Sequence, residues 1–171
     1  MAVPYDRDED VFAPCGHIRE ELFTDEAIYA LARCLDFASS TKWDSVRSPH
    51  VFMGLLDCGD PGIQQWAERL GADVPRLIEQ FEELFLHEHG DDEPMLRLHR
   101  EFFSDNVIRL LRDSVQRANE NLRETVTALD ILITIFTTPN SIVAECFERI
   151  GVTAARLTEL AVLAEQTVRS I

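Results

Sequence analysis

The sequence predicts an all-α fold. Three observations carry that prediction: a long internal repeat, apolar residues spaced by three and four within each copy, and helix-capping residues at equivalent places in both. Writing Phe23 onward over Phe103 onward, a shift of 80 residues (103 minus 23), aligns FTDEAIYALARCLDFA with FSDNVIRLLRDSVQRA and HVFMGLL with DILITIF. Without a gap the same register lays WAERLGADVPRLIE over CFERIGVTAARLTE, matching Glu68 with Glu148, Arg69 with Arg149, Gly71 with Gly151, Arg76 with Arg156 and Leu77 with Leu157. A repeat is read before anything else because each copy is one structural unit whose apolar face must be hidden by a neighbour.

The first helix of each copy is predicted from Ile28, Leu31, Leu35 and Ala38, and from Ile108, Leu111, Val115 and Ala118, which fall on one face of a helix. The second is more apolar all round. In copy one Ser48 is placed to cap it with Pro49 at the first helical position, and in copy two Thr127 and Asp130 have capping-box spacing. A third helix starts near Asp60-Pro61 or Asn140-Ser141 and stops at Gly71 or Gly151, where glycine suits the left-handed residue after a helix. Asp73 or Thr153 then caps the fourth. Four helices, done twice, predict an eight-helix domain of two pseudo-twofold-related four-helix repeats. It forms a single domain over residues 21–171, with repeat one at 23–86, an acidic linker at 87–101 and repeat two at 102–168. Residues 1–20 are acidic and have no counterpart in the second copy; they are expected to form a loosely ordered arm, with Val11 to Phe12 the piece able to dock back.

Bulk properties narrow the function classes. A chain of 171 residues that is 46% hydrophobic and 27% charged suits one soluble core. Its 31 acidic and 16 basic residues give a net charge of −15, which repels phosphate backbones and anionic lipid heads. A protein partner is therefore expected, and neither nucleic acid nor membrane. The longest apolar stretch, Val126 to Phe136, is interrupted by Asp130 and is too short to span a bilayer. The acidic start lacks the positive region and apolar segment of a signal peptide, so a cytoplasmic location is expected. Cys15, Cys34, Cys58 and Cys146 show no close pairing and are read as reduced thiols.

A duplicated helical unit opens here with Phe-Thr or Phe-Ser, carries an apolar second helix preceded by Ser48 or Thr127, and closes on a Leu-Gly or Ile-Gly step. That pattern, from roughly Phe23 to Glu165, resembles the N-terminal domain of the Clp family of ATP-driven protein unfoldases. The stretch from His50 to Leu56 sits where the family usually writes Thr-Glu-His followed by leucines. The resemblance implies a module without catalysis of its own that binds an adaptor protein or a substrate peptide for a Clp-type unfolding or proteolysis machine. An AAA+ ATPase module or a Clp protease core would then be a further partner. In some relatives the glutamate of the Thr-Glu-His step helps bind phosphoarginine-tagged substrates. Here those positions are Pro49 and Leu129, neither of which accepts a charge-assisted hydrogen bond, so that role does not carry over.

The residues themselves supply little reaction chemistry. There is no G-x-x-x-x-G-K-[ST] run to cradle nucleotide phosphates, and no enzyme activity, cofactor or metal is expected. His87 and His89 with Asp91 and Asp92 form the densest group of metal-ligand types, but two histidines at i and i+2 diverge on a helix, and a solvated linker is the plainer reading. They leave a small metal-dependent hydrolase as the remote alternative. Cys15 beside His17 reads as a chance pair in the arm, and His50 as a residue that packs and caps. A stand-alone accessory protein docking on a Clp protease or unfoldase is the nearer alternative. The binding groove is expected between the repeats, near Thr24, Pro49, Phe103, Ser104 and Leu129, with Trp43 as a surface anchor and Trp66 in the core.

Overall fold

The computed structural model describes residues 10–90 and 94–169. Within these residues eight α-helices run in chain order: α1 Asp25–Ser40, α2 Ser48–Leu56, α3 Pro61–Leu70, α4 Val74–Leu84, α5 Asp105–Glu120, α6 Ala128–Thr137, α7 Ile142–Glu148 and α8 Ala154–Arg169. Among the described residues extended backbone occurs only as isolated bridges. The repeat holds in fine detail. Short 3-10 turns at Glu20–Leu22 and Arg100–Phe102 precede α1 and α5, so the duplicated unit begins a few residues before Phe23 and Phe103. Lys42 and Leu122, both at positive φ (68° and 57°), follow α1 and α5 at equivalent positions.

Capping explains most helix starts. The hydroxyls of Thr24 and Ser104 accept from the N–H groups of Ala27 and Val107 at the heads of α1 and α5. Asp60, Asp73, Ser141 and Thr153 do the same for α3, α4, α7 and α8. Thr127 and Asp130 form the expected capping box on α6. At α2 the cap lies one residue earlier than the Ser48 expected from sequence. Arg47 is the N-cap residue, and its N–H donates to His50 Nδ1 at 2.9 Å, so that Ser48 and Pro49 occupy the first two helical positions. The residue that decides this is His50, which matches Asp130 in the second copy and does the same work from the same place. Gly71, at φ 75°, ends α3 as predicted, whereas α7 stops at Glu148, ahead of Gly151.

The two copies close on each other through paired backbone bridges that obey the pseudo-twofold. Phe23 pairs with Val126 and Val46 pairs with Phe103. Thr24 N–H donates to Val126 O and Ser104 N–H to Val46 O, while Val126 N–H donates to Leu22 O and Val46 N–H to Phe102 O, all between 2.7 and 3.1 Å. Behind these bridges Phe52 and Trp66 of repeat one meet Phe136 and Phe147 of repeat two in one aromatic cluster, with ring centroids 5.6 to 6.4 Å apart. Gly54 lets α2 approach α1, since a Cβ there would lie 2.3 Å from Ala30 O.

The arm splits in two. Residues 1–9 fall outside the described residues, and residues 10–19 are part of the fold rather than loosely ordered. Val11, Phe12 and Ile18 are buried; Ile18 N–H donates to Leu98 O and Arg100 N–H to Gly16 O. Asp10 takes a two-pronged ion pair from Arg112 on α5 at 2.9 and 3.2 Å. Docking of Val11 and Phe12, the alternative left open by the sequence, is thus the observed arrangement. The reason is Phe12 packing on Phe103, with ring centroids 5.8 Å apart, at the mouth of the inter-repeat seam.

Candidate functional site

The residues expected to line an inter-repeat groove do sit at or near the seam, where they are engaged as caps and bridge partners or buried. Thr24 and Ser104 are engaged as helix caps and as bridge partners. Pro49, Phe103 and Leu129 are buried, and Leu129 is packed so closely on α3 that a Cβ on Gly62 would lie 2.5 Å from its side chain. Among the described cavities only the polar one beside α5 includes one of the five, Phe103; within it Arg112 pairs with Asp10, and His99 Nε2 donates to Cys15 O. Trp43 is half-buried: its Nε1 donates to Phe85 O at 2.6 Å, its ring meets His50 and His87 edge-on, and Arg47 lies over it at 5.3 Å. Trp66 is fully buried, as expected.

The histidine-rich linker gives no converging set. His87 leans on Trp43, Asp91 and Asp92 lie outside the described residues, and among the described residues no three His, Cys, Asp or Glu side chains gather as metal ligands. Cys15 is exposed and His17 faces Glu20 at 3.6 Å. All four cysteines are free thiols.

The open apolar feature lies where the pseudo-symmetry breaks. In one half of the molecule α3 packs along α8: Trp66 Nε1 donates to Leu157 O at 3.1 Å, and Arg69 donates to Thr167 Oγ1 at 2.8 Å. The pseudo-equivalent pair, α7 and α4, stands apart. It encloses a groove of about 490 Å³ lined by Leu77, Phe81, Leu84, Cys146, Phe147 and Ile150, with Gln80 and Glu83 on its edge. Sequence differences account for the opening. On α8 the buried positions Ala161 and Ala164 are small, whereas α4 has Phe81 and Leu84 at those places and α7 has Cys146 where α3 has Trp66. The shorter α7, seven residues against ten for α3, also covers less of α4. Phe81 and Phe147 form the buried floor, with centroids 6.3 Å apart, while Leu84 is 58% and Ile150 73% exposed on the walls. Burial, opposed in part by the nearby Arg149 charge, pushes the Cys146 thiol above its ordinary range.

Comparison with solved structures fits this architecture. The N-terminal domain of the caseinolytic-protease-associated chaperone ClpD from Arabidopsis thaliana is similar at a TM-score of 0.67 and 20% identity, covering 87% of this chain and 97% of that one. The chain has the Clp N-domain fold. The N-terminal domains of Hsp104 from Candida albicans (TM-score 0.66, 12% identity, 82% and 89% covered) and of the ClpV1 ATPase from the E. coli EAEC Sci1 T6SS (0.61, 12%, 85% and 86%) are similar too. No family model matches the sequence, and no curated protein matches it either. The identities are low because the Clp N-domain fold is specified here by periodic apolar positions and caps, which many side chains satisfy. The α4–α7 groove had little signal in the sequence. The one available was the alignment of Cys146 with Trp66, a large-to-small change at a core position of the repeat.

Proposed function

We propose that this chain is a protein-recognition module without catalysis of its own, which receives a segment of an adaptor or substrate protein for a Clp-type unfolding or proteolysis machine and seats it in the α4–α7 groove. The observation that carries the reading is that groove: an apolar floor with two large side chains left in water on its walls, between the helix pair whose counterpart in the other half packs together. Burying one leucine-sized side chain of a partner there contributes roughly 1.5–3 kcal/mol, enough for about a tenfold gain in affinity or more. The fold likeness supports the reading at the level of the module, since the similar solved structures are themselves N-terminal domains of chaperones and ATPases.

Probing an array of unrelated peptide segments with the labelled chain tests it. A defined subset of segments should be retained by the wild type and lost by the double variant Leu84→Glu, Ile150→Glu, whose exposed side chains leave the fold intact and the melting temperature close to that of the wild type. Equal retention by the variant would remove the groove from the function.

A further inference from the structure

The groove's two walls are helices, its rim is acidic, and its mirror image in the same molecule is filled; together these features specify the occupant. We propose that the groove takes a cationic amphipathic helix of about three turns, which presses a tryptophan or similarly bulky side chain against Leu77 and Cys146. This rests on the reading above and names the chemistry of the partner.

A helix is required because the groove offers no backbone to pair with. The N–H and C=O groups of α4 and α7 are engaged within their own helices, so an extended peptide lying over Phe81 and Phe147 would leave its own backbone groups unpaired on an apolar floor. A helix satisfies its backbone internally. The eleven residues of α4 span about 16 Å, which sets the matching length.

The cationic character follows from charge. Helices α4 and α7, with the residue that ends α7, carry Glu79, Glu82, Glu83, Glu145 and Glu148 against Arg76 and Arg149, and Arg149 is paired with Glu145 at 3.1 Å. Glu83 stands on the groove edge itself. Charge also argues against a second copy of this chain as occupant, because each copy would bring the same acidic rim and its own share of a net −15. The bulky anchor is read from the closed half: there Trp66 fills the space between α3 and α8 and donates to Leu157 O, and the groove has Leu77 in place of Leu157 and Cys146 in place of Trp66.

The test uses two synthetic amphipathic peptides with the same leucine and tryptophan face, one with lysine and one with glutamate on the outer positions, titrated into the full chain by fluorescence anisotropy. The lysine peptide should bind at least about tenfold more tightly than its twin, the low end of what electrostatic steering supplies, and the gap should shrink as salt is raised. Replacing the peptide's tryptophan with alanine should cost most of the binding. Cys146→Trp, which copies the closed half, should abolish binding, and Ile150→Glu on the exposed wall provides the same readout without touching the core. Equal affinity for the twins at low salt would overturn the cationic occupant while leaving the groove as a binding site. Binding that neither variant weakens would overturn the groove itself. A wild-type dimer in sedimentation that Cys146→Trp dissociates would assign the groove to self-association and overturn the proposal.

Discussion

At the scale of single residues, the same structural duty is met by unlike side chains in the two copies, and the difference shows in pH behaviour. His50 and Asp130 both accept the N–H of their helix's N-cap residue. His50 does so while buried and neutral: Nδ1 is the acceptor, so Nε2 carries the proton and donates to Thr41 Oγ1 at 3.0 Å, and Thr41 in turn donates to Phe37 O. Burial, with the nearby Arg47 charge, pushes the imidazole from 6.5 down to about 4. The unfolded chain therefore binds a proton at this residue that the fold refuses. Stability falls as the pH drops from about 6.5 to about 4, by roughly 3 kcal/mol at about 1.4 kcal/mol per pH unit. The His50 ring should stay neutral at pH 5 by NMR while the melting temperature declines across that window. A ring titrating near its ordinary value would refute the burial argument. His50 as a packing and capping residue was readable from its place at the head of an apolar helix. Its displacement of Ser48 as the cap was not, because that depends on the ring reaching back to Arg47.

At the scale of elements, Asp130 shows how three helices are held. Its carboxylate has no exposed surface and receives Arg117 at 2.5 Å and Arg123, and both arginines also reach Glu165, so α5, the loop before α6, α6 and α8 share one ion cluster. Burial alone would raise this carboxyl's pKa. The hydrogen bonds from Arg123, Thr127 and Arg117 outweigh burial and hold it below the ordinary carboxylate value of 3.8. Its contribution is present above that value and lost as the pH falls beneath it, an acid limb separate from that of His50. Asp130→Asn should destabilise the domain by about 3–5 kcal/mol in denaturant titration, because two arginines lose a buried counter-charge. A change below about 1 kcal/mol would show that Glu165 alone suffices. The capping role of Asp130 was visible in its spacing from Thr127. Arg117, Arg123 and Glu165 converge on it from elsewhere in the chain, and no local pattern announces that convergence.

At the scale of the whole molecule, the halves are mutually dependent. The bridges Phe23–Val126 and Val46–Phe103 and the aromatic cluster of Phe52, Trp66, Phe136 and Phe147 belong to both copies at once. A fragment carrying residues 20–90 alone should lack a cooperative thermal transition by circular dichroism, and adding the complementary half should restore one. A fragment that folds by itself would contradict this dependence. The sequence by itself determined the eight helices, the duplication and every cap but that of α2, because spacing of apolar residues and capping side chains act within a few residues along the chain. It also determined the acidic charge that disfavours nucleic acid. Tertiary structure alone decided which seam closes and which stays open. The repeat implies two equivalent helix pairs, and only packing reveals that α3, with Trp66, closes on α8 on one side while Phe81, Leu84 and Cys146 line a groove on the other. A groove is a shortfall of volume between elements distant in sequence, and such a shortfall becomes visible only once both walls are in place.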